Sequence, residues 1–113
     1  MYPWTMSEKS STQEIFTIHT VMQPILEKIM GMAGFAGELL AIAQRPHPDD
    51  HFLFIVHVKL GEQKYVTWEY NANDQGFFSG HYFESWQGLD MPGVLRRDAA
   101  MDFAERVRRA NTL

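Results

Sequence analysis

The chain contains no cysteine. That absence excludes disulfides, thiolate metal sites and a cysteine nucleophile. Basic charge is scarce too: 10 lysines and arginines stand against 14 aspartates and glutamates, for a net charge of −4. A general nucleic-acid binder neutralises phosphates with an excess of basic side chains, so this balance argues against nucleic acid as a partner. No apolar run approaches the roughly 18 residues of a membrane-spanning helix. The opening stretch, MYPWTMSEKSSTQ, has no basic segment leading into an apolar one, so no secretion signal is expected and a cytoplasmic home is.

What is present suits a packed globule. Hydrophobic residues make up 45% of the 113 and aromatic residues 13%. A chain of this length buries a working core without staples. Residues 1–12 read as a flexible tail and residues 13–113 as a single domain.

Residues 15–33 admit two readings. Ile15, Ile18, Met22, Ile25 and Ile29 follow helical spacing, but Pro24 would then fall inside the helix at a cost of about 3 kcal/mol. The alternative makes Ile15–Thr20 a strand, Thr20 an N-cap with Gln23 as its partner, and places Pro24 harmlessly in the first turn. The second reading is preferred, with a helix over 21–33. Gly31, Gly34 and Gly37 should end it. Residues 38–44 read as either a strand or a short helix.

The clearest strand is HFLFIVHVKL at 51–60. Phe52, Phe54, Val56, Val58 and Leu60 share one face; Leu53 and Ile55 lie on the other, which should turn wet at His57 and Lys59. Strands at 64–70 and 77–83 follow, separated by the turn NANDQG, and complete an antiparallel meander over 51–83. After an irregular link at 84–97, Asp98 is the expected N-cap of a last helix over 99–110. Its apolar stripe should be Ala100, Phe103, Val107 and Ala110. Asp102 faces Arg106 and Glu105 faces Arg109 at i,i+4. The expected fold is α+β: an antiparallel sheet of four to five strands with an N-terminal-half helix and a C-terminal helix against its apolar side.

One stretch offers chemistry. PHPDDH, at 46–51, gathers His47, Asp49, Asp50 and His51. These four are candidate ligands for a divalent metal such as zinc, with His19 or His81 as further donors. The competing reading is a polar turn set by Pro46 and Pro48 that fixes the register of the next strand. The stretch LLAIAQRPHPDDHFL resembles the first motif of the zinc-dependent N-acetylglucosaminyl deacetylases, where a strand runs into His-Pro-Asp-Asp-Glu. That resemblance implies His47 and Asp50 as zinc ligands and Asp49 as general base of a metal-dependent hydrolase. His51 stands where the family has glutamate, the family's distal His-x-x-His pair has no counterpart, and the chain is shorter than its doubly wound domain.

Trp68, Tyr70, Phe77, Phe78, Tyr82 and Phe83 crowd the last hairpin. Trp68 and Tyr70 share a face with Val66 and suit a core, yet Trp68, Tyr70, Phe78 and Tyr82 are also the candidate partner-binding residues, as aromatics are enriched at interfaces. Arg96, Arg97, Arg106, Arg108 and Arg109 cluster near the C-terminus, where they complement a helix dipole better than they make a phosphate site. Ser79-Gly80-His81 is no nucleophile elbow, and no third group orienting the imidazole is visible in the sequence, so no catalytic residue is assigned. The expected function is a small non-catalytic interaction or accessory protein without a cofactor. It would inhibit or regulate by binding another protein or itself. The alternative is the metal-binding protein or metal-dependent hydrolase at His47–His51.

Overall fold

The computed structural model describes residues 15–85 and 93–112; the expected tail lies outside them. The order is α1 (Ile18–Ala33), β1 (Glu38–Gln44), β2 (Leu53–Gly61), β3 (Lys64–Asn71), β4 (Gly76–Glu84) and α2 (Val94–Asn111), with short 3-10 turns at Gly34–Ala36 and Pro48–Asp50. The strands form one antiparallel sheet in the order β1-β2-β3-β4, each beside its neighbour in the chain. The α+β meander expected from the sequence is present, with four strands, and residues 38–44 take the strand form.

The preferred reading of residues 15–20 is corrected. No strand forms there. Thr17, not Thr20, caps α1: its hydroxyl accepts from the Thr20 amide at 3.2 Å, and the Thr20 hydroxyl accepts from the Thr17 amide at 2.9 Å. Pro24 therefore sits inside the helix. The earlier start gains the reciprocal Thr17–Thr20 cap, and the helix as a whole buries Val21, Ile25 and Ile29. Three buried aliphatic side chains at about 1.5–3 kcal/mol each let the helix carry one lost backbone bond and a ring clash. Thr20, whose carbonyl loses its partner to Pro24, is exposed, so water can serve that oxygen. Pro24→Ala should accordingly raise stability by about 1–3 kcal/mol, read as a higher urea midpoint at an unchanged slope. At the other end of α1, Gly34 takes a φ of 58°, the left-handed conformation in which a side chain would be strained.

The two helices cover opposite faces of the sheet, which corrects the expectation that both lie on one apolar side. On the first face Phe54, Val56, Val58, Val66, Trp68, Tyr70 and Ala72 pack with Val21, Ile25 and Ile29 of α1. Register fixes this set: Phe54 faces Tyr70, Val56 faces Trp68 and Val58 faces Val66. The second face carries Ile55, His57, Thr67 and Glu69, and α2 lies on it, with Thr67 bonded to Asp102 and His57 beside Phe103. His57 is thus buried, not wet, because a helix roofs the face that looked solvated.

Helix α2 begins after Gly93, so Asp98 is not its cap but lies within it. The buried residues are Ala99 and Ala110, and Ala100 points outward. Ala99, Phe103, Arg106 and Ala110 share the inward face at 4-3-4 spacing, one residue out of step with the expected stripe at Ala100 and Val107. The two expected i,i+4 pairs form, Asp102–Arg106 at 3.4 Å and Glu105–Arg109 at 2.9 Å. Arg108 and Arg109 together hold the Glu105 carboxyl at about 2.

Candidate functional site

PHPDDH folds as a 3-10 turn between β1 and β2. His47 caps it, Nδ1 accepting from the Asp49 amide at 3.1 Å. The His51 ring Nδ1 lies 3.0 Å from the Pro48 carbonyl oxygen, so it donates there. Asp50 turns toward the sheet, where the Arg45 guanidinium grips it at 2.9 Å. His47 and Asp49 both face solvent. Among the described residues, no three histidine, aspartate or glutamate side chains are placed to hold a metal ion. What the four polar residues build is a turn tied down by its own backbone and by Arg45. The doubly wound domain that the deacetylase resemblance implies is absent, since the strand after the motif belongs to an antiparallel meander.

The four aromatic candidates do not make one surface. Trp68 and Tyr70 are buried in the first core. Phe78 and Tyr82 are 42% and 56% exposed but point to opposite faces, as Phe78 pairs with Glu69 and Tyr82 with Val66. A bulge causes this split. Between Glu69–Phe78 and Thr67–His81 the register shifts, so Ser79 and Gly80 together oppose Trp68. Ser79 has a φ of 55°, and a Cβ on Gly80 would lie 2.7 Å from Trp68 Nε1. That closeness lets the Trp68 indole donate to the Tyr82 hydroxyl at 3.2 Å and stack on Phe77 at 4.4 Å.

A third arrangement was invisible in the sequence. Under α2, the Asp102 carboxylate accepts from Thr67 at 2.5 Å and from His81 Nδ1 at 2.9 Å, and pairs with Arg106. Arg106 continues to Glu69 at 3.7 Å and donates to the Ser79 carbonyl; Arg45 reaches the same Glu69 at 3.1 Å and closes on Asp50. Burial alone would raise the Asp102 pKa, but the bonds from Thr67, His81 and Arg106 and the charge of His81 outweigh it and pull the carboxyl below its ordinary value. Asp102 is the orienting group that Ser79-Gly80-His81 lacked on paper.

This network borders a cleft of about 240 Å³ lined by Arg45, Glu69, His81, Arg106, Arg109 and Ala110. Each of its arginines already has a carboxylate: Asp50 and Glu69 for Arg45, Glu69 and Asp102 for Arg106, Glu105 for Arg109. Charge is balanced locally, which leaves little field to draw in an anion. The partner of the His81 ring is the Asp102 carboxylate rather than a serine or threonine hydroxyl. The arrangement does what its bonds do: it pins α2 and the bulge of β4 to the sheet.

A group of exposed apolar side chains lies elsewhere. On the outer side of α1, Leu26 and Met30 are exposed beside the buried stripe, and Met32 and Phe35 follow at its end. Phe35 is 97% exposed on the turn leading to β1. None of these residues stood out in the sequence, because an apolar residue on a helix or turn reads as core until the fold shows what covers it. No family model, curated protein or solved structure matches the chain.

Proposed function

We propose that this chain is a non-catalytic protein-binding module whose contact surface is the outer flank of α1 with the turn after it. The observation that carries the reading is Phe35, an aromatic ring almost wholly in water, within ten residues of exposed Leu26, Met30 and Met32. Desolvating such a ring is a typical anchor contribution at a protein interface. Methionine adds adaptable contacts around an anchor. The partner it fits is the apolar face of another protein's helix or strand, a second copy of this chain included.

A photo-crosslinking residue placed at Phe35, with one at exposed Asn73 as control, tests this in cells making the chain. A protein adduct of defined mass from position 35 and none from 73 supports the proposal; twice the chain's mass identifies a second copy. Equal adducts at both positions, or none at 35, overturn it. Leu26→Asp with Phe35→Asp should abolish the adduct formed from position 30 by at least about tenfold. The same pair should leave stability within roughly 0.5 kcal/mol per site, because neither side chain is packed in the core.

A further inference from the structure

The two helix–sheet seams differ in kind. Beneath α1 the contacts are aliphatic and aromatic. Beneath α2 they are largely polar: Thr67 to Asp102, His81 to Asp102 and Arg106 to Glu69. In the middle of this second seam sits His57, only 4% exposed, with its Nε2 buried and without a hydrogen-bond partner among the described residues. Its ring lies 6.1 Å from that of Tyr65 on β3 and 6.4 Å from that of Phe103 on α2. We infer that α2 is an acid-released cover: proton uptake at His57 loosens α2 from the sheet while α1 and the four strands stay folded.

The groups around the ring favour the neutral imidazole. Burial opposes charging it, and the Arg96 guanidinium on α2 repels a second positive charge; both lower its pKa below 6.5. Tyr65 supplies a phenol ring from β3. Across β1, Ala41 is the register partner and brings no titratable group. On β2 itself Lys59 shares the face two residues away and is paired with Glu62. Asp102 on α2 and Glu69 on β3 are carboxylates of this seam, but Asp102 already serves Thr67, His81 and Arg106, and Glu69 already serves Arg45 and Arg106. A proton on His57 thus meets the Arg96 cation while these carboxylates are engaged elsewhere, and the ring regains water only if α2 lifts.

His81 on β4 ties α2 to the sheet through its 2.9 Å bond to Asp102. The size of the release follows from linkage. If the freed imidazole titrates near 6.5 and the docked one stays neutral, lowering the pH from about 7.5 to about 5.5 multiplies the released population by about ten.

Hydrogen–deuterium exchange of the full chain at those two pH values, corrected for the intrinsic pH dependence of exchange, tests the inference. Amides of 94–111 should lose protection by about tenfold at the lower pH, those of α1 should not, and His57→Leu should abolish the difference. In case His57→Leu does not fold, the His57 ring proton titrated by NMR in the unaltered chain gives an independent reading: a midpoint below 6.5 supports release, one at or above it overturns it. Equal loss of protection in α1 and α2, or a tenfold loss that survives in His57→Leu, also overturns it.

Discussion

Phe54→Ala should lower the free energy of unfolding by about 3–5 kcal/mol. The ring is fully buried near the start of β2, faces Tyr70 across the β2–β3 pairing, and packs in the cluster that α1 closes with Ile25. Truncation removes most of a large side chain from a place walled by other large side chains, where neighbours cannot collapse into the void. The total stability of a domain this size is of order 5–15 kcal/mol, so the variant stands near the edge of folding. Urea denaturation followed by far-UV circular dichroism would measure it. The midpoint should fall steeply and the slope should hold; a shift under about 1 kcal/mol would mean that α1 and the sheet do not share one core.

Asp102→Ala should cost about 2–4 kcal/mol, with the damage centred on α2. Its carboxylate is the common acceptor for Thr67, His81 and Arg106. Thr67 is fully buried, so its hydroxyl would lose its acceptor out of reach of water. The Arg106 side chain is only 10% exposed and would lose one of its two carboxylates, keeping Glu69 at 3.7 Å and the Ser79 carbonyl. The pH dependence carries a sign. A carboxyl whose folded pKa is lowered contributes stability that is present above its unfolded value near 3.8 and lost as pH falls through the folded value. The acid limb below about pH 4 should therefore be shallower in Asp102→Ala than in the parent chain. The His57 effect belongs to a window below 6.5, so the two can be separated in a single pH series.

Much of the architecture could be read from residues in sequence. Alternation at Phe54, Val56 and Val58 and the turn residues from Asn71 to Gly76 place β2, β3 and β4, because strand pleat and turn chemistry are local properties. The start of α1 could not be read that way. Pro24 is a local penalty, and the burial of Val21, Ile25 and Ile29 that overrides it is tertiary. His57 looked like the wet end of a face because nothing in its neighbours tells that a helix some forty residues later will cover it. The polar site was hidden for the same reason: Thr67 and Asp102 are 35 residues apart, and only their bond gives either one meaning. Within the hairpin, the extra residue at Ser79–Gly80 sends Phe78 and Tyr82 to opposite faces although their numbers share a parity. Strict alternation fails wherever a bulge intervenes, and a single glycine is a weak sign of one.

The strand order has a consequence for how the molecule comes into being. All three pairings join segments adjacent in the chain, so each closes only a short loop and costs little entropy before its contacts form. The ribbon ends at Glu84, ahead of the whole of α2. The four-strand ribbon with α1 can thus form without waiting for α2. Docking of that charged helix onto the finished platform is then a separate event.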